Sequence, residues 1–434
     1  AANWTILTQN AYNDRGELVE KNMGNGIQSV DYGYNIRGWL SSINDDGAGG
    51  FDDTNDKYRL RLKYADAVVG AEQYNGNIGQ MIWETPDGAY GGQQSYDYGY
   101  DAMNRLAYAT YAGSGNHSVS QVSYDYNGNI QRLVRTGWDD LTYGYGAGTG
   151  KSNQLLTVAD AEAGTLGFND GNTTGDDYVY DASGNMIIDR NKGLKQIAYN
   201  YLDLPEFVVL ESGEEVTYTY DAAGMKLRKA HTTGSNTKYS DYISGMHFEQ
   251  DAGESAPQLE FLQTGEGRAR VDGSTFTYDY NLTDHLGNVR VVLDQTGGYF
   301  ESDDYYPFGL TFHNNSGSPI NGYKYNGKEL QIATKWYHYG VRFFNPELGL
   351  WMSIDPLSEL FYDQSSYHYS FNNPIKYIDP DGAAPTLATG DCCNGVQQVA
   401  DNQVINTLFL QFVAARKNLS STIAGFIKSP SHSP

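Results

Sequence analysis

Two Asp-Pro pairs, Asp355-Pro356 and Asp379-Pro380, stand out among the residues of this chain that could do chemistry. On their own such pairs form turns: the carboxylate bonds its local backbone and the proline fixes the next φ. The rest of the reactive inventory is sparse. Eight histidines are scattered and no HExxH or CxxC spacing occurs, so no metal and no cofactor is expected. No GxSxG elbow or phosphate-cradling Walker loop is present either. His338, within Trp336-Tyr337-His338-Tyr339, is expected to pack among its aromatic neighbours. Two acidic loops, Asn44-Asp45-Asp46 with Asp52-Asp53 and Asn169-Asp170 with Asp176-Asp177, hold oxygen ligands of the kind calcium takes. Neither follows the EF-hand spacing, and both read as solvated turns. The two cysteines, Cys392 and Cys393, are adjacent, and adjacent cysteines rarely bridge each other. The sequence therefore offers no disulfide framework and leaves the redox compartment open.

The elements that must position these residues show as a repeat. The unit is Tyr-Asp or Tyr-Asn, two variable residues, Gly or Asn, and then an aliphatic return. It reads YNDRGEL from Tyr12, YNIRGWL from Tyr34, YDAMNRL from Tyr100, YNGNI from Tyr126, YDASGNM from Tyr180 and YDAAGMKL from Tyr220. TDHLGNVRVV from Thr283 continues the series, and degenerate copies begin at Tyr74 and Tyr199. Each copy predicts one hairpin. The Tyr ends a strand, the Asp or Asn bonds its own backbone, the Gly supplies a positive φ, and an aliphatic run such as Met186-Ile187-Ile188 starts the return. One hairpin cannot bury a face alone, so neighbouring copies must stack into a long antiparallel sheet. A period of about twenty residues is too short for propeller blades.

Composition agrees with many short strands. The chain has 434 residues with 50 Gly, 12 Pro and 37 Tyr, against 16 Phe and 6 Trp. Tyrosine suits such a sheet because its ring covers neighbours while its hydroxyl finds a partner. A net charge of -24 disfavours nucleic acid and anionic membrane surfaces as partners. No segment reaches transmembrane length: the most apolar run, Val404 to Ala415, is short and contains Asn406 and Gln411. The chain begins at Ala1 rather than Met, which reads as a removed leader or a fragment of something longer.

The repeats, over roughly residues 10 to 382, resemble the YD-repeat (Rhs) family of bacterial Rhs toxins, insecticidal toxin-complex B and C subunits, and teneurins. The resemblance implies an all-β, spiralling antiparallel shell of stacked hairpins around a hollow interior. After Asp284 the sequence reads DHLGNVRVVLDQTG, YYPFGL, YKYNGKEL, WYHYGVRFFNPELGLWMSIDPL and YSFNNPIKYIDPDG. That order is similar to the Rhs-associated core, in a variant close to Bacteroidetes-type members. The implied organisation is a YD-repeat shell over 1–283, the core over 284–382 and a variable extension over 383–434. The extension carries an amphipathic, helical pattern from Val396 to Lys428.

In toxin-carrying members the core holds a self-cleaving aspartyl protease, built from two Asp-Pro motifs and an upstream arginine. Carried onto this sequence, the catalytic residues are Asp355, Asp379 and Arg342, the last within Arg342-Phe343-Phe344-Asn345-Pro346. Two carboxylates sharing one proton have pKa values pushed apart, so one can act as base on water while the other donates a proton. Arg342 would hold one of them ionised or orient the scissile strand. The cut is expected between about Gly382 and Leu387. Two departures from the family pattern occur: Ser358 stands where Gly is common, and Ala383-Ala384-Pro385 lacks the usual Leu. The implied partner is a C-terminal effector or cargo peptide enclosed in cis, with delivery machinery or an immunity protein as further partners. The implied setting is bacterial, secreted or at the cell surface. Two other readings are an adhesion or carbohydrate-binding surface protein without catalysis, and a degenerate structural remnant.

Overall fold

Strands end where the repeat tyrosines stand. In the computed structural model this holds for β3 (Gln28–Tyr34), β7 (Gln94–Tyr100), β9 (Val119–Tyr124), β13 (Tyr178–Tyr180) and β17 (Glu215–Tyr220). The structure describes residues 6–47, 53, 55–67, 72–85, 92–146, 152–162, 166–273, 275–316 and 321–388. The next residue closes the turn with its side chain. Asp125 Oδ1 accepts the N–H groups of Asn127 (2.9 Å) and Asn129 (3.0 Å), and Asp221 Oδ1 those of Ala223 and Met225 (both 2.8 Å). Asn13 and Asn200 do the same work. The fourth turn residue then needs a left-handed backbone, which glycine adopts freely: φ is 83° at Gly128 and 84° at Gly184. Where the repeat carries Asn104 there, φ is still 63°.

The tyrosine has a second task that the repeat pattern does not reveal. Its hydroxyl donates to a backbone carbonyl near the return of the preceding hairpin. Tyr34 reaches Leu18 (2.9 Å), Tyr100 reaches Ile78 (2.8 Å), Tyr124 reaches Leu106 (2.7 Å), and Tyr199 reaches Met186 (2.7 Å). Successive hairpins are thereby stitched together, which phenylalanine could not do. Two copies read from spacing do not place their tyrosine at a strand end: the one at Tyr74, which is exposed and lies in no strand, and the one at Tyr126. In the latter the strand ends at Tyr124 and the turn is closed by Asp125, while Tyr126 lies fully exposed inside the turn.

Within each sheet consecutive strands are neighbours. Twelve antiparallel strands, from β1 (Thr8–Tyr12) to β12 (Thr157–Asp160), form one sheet. Fourteen more, from β13 to β26 (Thr311–Ser316), form a second. The second sheet runs without interruption through Thr283 and Asp284. The chain is thus an all-β assembly of large antiparallel sheets of stacked hairpins. The helical pattern at 396–428 and both cysteines lie outside the described residues.

Residues 321–388 lie between the sheets and cover their inner faces. They form a four-stranded sheet of β27 (Glu329–Gln331), β28 (Trp336–His338), β29 (Phe343–Asn345) and β30 (Leu350–Trp351). A short pair follows, β31 (Tyr377–Ile378) with β32 (Thr386–Leu387). The segment is aromatic because it must fill a wide gap with few residues. Phe344 stacks on Tyr369 at 4.1 Å, and Tyr339 meets Trp351 edge-on at 5.0 Å. Polar ties fix it to both walls: Tyr143 of the first sheet bonds Leu348 O at 2.9 Å, and Tyr218 of the second bonds Gln331 at 3.3 Å. Over the described residues the interior is therefore largely occupied by this segment. One cavity of about 370 Å³ persists between the sheets, bordered by Leu40, Glu266, His285, Lys328 and Asp379.

Candidate aspartate site

Arg342, the residue before β29, is buried at 1% exposure, and its guanidinium sits 4.2 Å above the Trp351 ring. That platform fixes the plane of the fork, because a cation is attracted to the face of an indole. Nη2 donates to Asp355 Oδ2 at 2.9 Å and to Asp379 Oδ2 at 3.2 Å. Nε donates to the Gly382 carbonyl at 2.5 Å. Nη1 has no hydrogen-bond partner among the described residues. The three residues singled out in the sequence are thus brought together around one guanidinium.

Each carboxylate is also held by its own turn. Asp355 Oδ1 accepts the Leu357 N–H at 2.7 Å, and the Ser358 N–H bonds the Asp355 carbonyl at 3.0 Å. Ser358 enters through its backbone, so the position does not need glycine's side-chain-free form. Asp379 Oδ1 accepts N–H bonds from Gly382 (2.8 Å) and Ala383 (3.1 Å), wrapping residues 379–383 tightly around the carboxylate. Gly382 has φ 83°, and a Cβ there would stand 3.1 Å from Arg342 N. Glycine is required at this point. The chain then turns back, and Thr386 pairs with Ile378.

One buried guanidinium faces two buried carboxylates. Burial pushes the carboxyls of Asp355 and Asp379 above the usual range, and Arg342 opposes the rise in both. Asp355 raises Asp379 further by like charge. A single positive charge compensates only one of the two anions, so the pair favours holding one proton between them. That state offers a base and an acid in one place, beside a carbonyl already polarised by a cation.

Two nearby groups were not foreseen. Asp381 Oδ1 accepts the Ala383 N–H at 3.1 Å and its carboxyl is also raised, by burial first and Asp379 second. Lys328 Nζ donates to the Pro380 carbonyl at 2.5 Å. Asp381 lay in plain view inside the second Asp-Pro motif. Lys328 is 52 residues from its partner, and no spacing rule connects them.

The other candidates fall elsewhere. His338 is packed against Phe343 at 4.8 Å, and burial holds its imidazole well below the ordinary value. In the first acidic loop Asp45 pairs with Arg59 (3.0 Å) and Arg61. In the second, Asp177 accepts the Val158 N–H (2.6 Å) and the Asn172 side chain (2.8 Å). Their oxygens serve the fold. Among the described residues no group of three or more His, Cys, Asp or Glu side chains is arranged to hold a metal, and no helix is long and apolar enough to cross a membrane.

No family model matches the chain. It is similar to the toxin subunit YenC2 of Yersinia entomophaga, at 31% identity over 195 residues, 39% of this chain and 20% of that protein. It is also similar to the tRNA3(Ser)-specific nuclease WapA of Bacillus spizizenii, at 26% identity over 305 residues, 65% of this chain and 12% of that protein. Among solved structures it matches a chain of the Photorhabdus luminescens Tc holotoxin pore carrying a TccC3 mutation. The TM-score is 0.68 at 17% identity, covering 91% of this chain and 19% of that one. The chain spans at most a fifth of the length of these proteins. The structural likeness establishes the fold, that of the β-shell of the toxin structure it matches.

Proposed function

We propose that this chain is the core-proximal part of a secreted bacterial Rhs-type shell, and that it cuts itself in cis to separate a C-terminal cargo from the shell. The observation that carries the reading is the Gly382 carbonyl held by Arg342 Nε, with Asp379 and Asp355 on the same guanidinium. In the proposed step one aspartate takes a proton from water, and the water oxygen bonds to the Gly382 carbonyl carbon. Arg342 stabilises the charge that develops on the carbonyl oxygen. The other aspartate protonates the Ala383 nitrogen as the C–N bond breaks, leaving a Gly382 carboxylate and a free Ala383 amine. The sum is hydrolysis of one peptide bond. Enclosure of a cargo would need chain beyond these residues, as in relatives of which this chain covers a fifth or less. Adhesion is the weaker reading, because toxin and nuclease names recur among the relatives.

The test is the denaturing mass of purified protein beside Asp379→Asn and Asp355→Asn. Two fragments from the unmutated chain and one from each variant support the reading. A single full-length mass from all three proteins overturns the cleavage, while leaving the shell assignment standing on its fold.

A further inference from the structure

Lys328 belongs to the stretch Tyr325-Asn326-Gly327-Lys328, far in sequence from both Asp-Pro pairs. Its ammonium nevertheless closes the outer side of the aspartate turn. Nζ donates to the Pro380 carbonyl at 2.5 Å and lies 5.3 Å from the Tyr339 ring centre. Tyr339 in turn packs on Trp351, the platform beneath Arg342. Lys328 borders the 370 Å³ cavity together with Asp379 and Pro380.

The backbone around it leaves little slack. Val341 N–H bonds the Asp381 carbonyl at 3.0 Å, and a Cβ at Gly340 would stand 3.0 Å from the same oxygen. The 379–383 turn is thus pinned through the Pro380 carbonyl by Lys328, through the Asp381 carbonyl by Val341, and through the Gly382 carbonyl by Arg342. Only the Lys328 tie carries a charge that a substitution can remove without touching the carboxylates or Arg342.

We infer that Lys328 is a positioning residue of the aspartate site: it holds the Pro380 carbonyl so that Gly382 meets Arg342, with its cation beside the turn that carries Asp379 and Asp381. The inference rests on the cleavage reading above for its functional meaning. The groups that bear on it are Asp379 and Asp381 in the turn, Asp355 and Arg342 across the site, and His338 on β28, which feels its charge. Asp284 and His285 border the same cavity. Burial lowers the ammonium's own pKa while Asp379 and Asp381 raise it, the pattern of a cation engaged with two anions.

The experiment follows self-cleavage of the full chain against pH in Lys328→Met and Lys328→Arg. Removing the cation disfavours ionised carboxylates, so their protons are lost at higher pH. In Lys328→Met the rate at the profile's own maximum should fall about tenfold, because the turn loses its tie, and the whole profile should move up by about one pH unit. Lys328→Arg should keep the profile in place. A fall in rate without displacement, or an unchanged rate and profile, overturns the inference. A second readout does not depend on cleavage. Carboxyl NMR of Asp379 in the folded, uncut Asp355→Asn background should show its midpoint raised by Lys328→Met, and an unmoved midpoint refutes the role. Failure of the cleavage reading appears separately, as an Asp379→Asn variant that is cut as fast as the unmutated chain.

Discussion

Replacing Asp125 tests the turn logic on which the sheets depend. Its carboxylate makes three bonds: to the N–H groups of Asn127 (2.9 Å) and Asn129 (3.0 Å), and to Asn129 Nδ2 (3.0 Å). Asn129 is 2% exposed, so its groups cannot fully turn to water, although Nδ2 keeps a second acceptor in Asn153 at 3.0 Å. At about 1 kcal/mol net per bond, discounted for the half-buried carboxylate, Asp125→Ala should cost about 2–3 kcal/mol. Asp125→Asn keeps the oxygen that accepts both backbone bonds and sets two amide NH₂ groups against each other, so it should cost about 1 kcal/mol. The repeat itself makes this exchange: where Asn13 replaces Asp, the fifth residue is Glu17, which accepts the Asn13 amide at 2.7 Å. The assay is native-state hydrogen exchange of the β9 amides and those of β10 (Ile130–Arg135), with denaturant midpoints for the whole chain. Equal losses for the two variants, or no loss for Asp125→Ala, would refute the view that the side chain closes the turn.

Four further outcomes follow from the same geometry. Asn13→Asp places two carboxylates together and should weaken protection of the first hairpin, while Asn13→Asp with Glu17→Gln should restore it; no rescue in exchange rates would count against the pairing. Tyr100→Phe removes the 2.8 Å bond to the Ile78 carbonyl and should cost about 1 kcal/mol, whereas Tyr126→Phe, fully exposed, should be neutral in the same denaturation series. Asp189 is buried, its Oδ2 has no partner among the described residues, and burial pushes its carboxyl up to about 6. A raised carboxyl costs the fold stability as pH climbs from the unfolded value through 6. Asp189→Asn should therefore gain on the unmutated chain by about 2 kcal/mol between pH 4 and pH 7.5, and a gap independent of pH would contradict this. Lys328→Met should displace the pH profile of cleavage upward, as set out above.

The hairpins were legible because their cause is local. Asp or Asn, two residues and Gly encode one turn, and the strand end at Tyr220 or Tyr34 follows from it. The register at Tyr124 was not, since Tyr124-Asp125-Tyr126-Asn127 satisfies the pattern at either tyrosine. Only burial and stacking choose between them. The hydroxyl stitch was hidden because its acceptors are backbone carbonyls of a preceding copy, which any side chain could carry. The break into two sheets between Asp160 and Tyr178 leaves no mark in the repeat. At the site, Asp355, Asp379 and Arg342 were picked out by likeness to a family motif, and spacing alone would have left both aspartates as turn formers. The turn role is real, since each accepts backbone bonds through Oδ1. The meeting of their Oδ2 atoms on one nitrogen depends on packing of 342, 355 and 379 from three separate elements.

The central claim is that the carbonyl held by Arg342 belongs to the bond that is cut. Reading the new N-terminus after expression of the unmutated chain tests it most directly. A released fragment beginning at Ala383, absent from Asp379→Asn, is the expected result. A chain that stays whole, or one cut at any bond other than Gly382–Ala383, would contradict it.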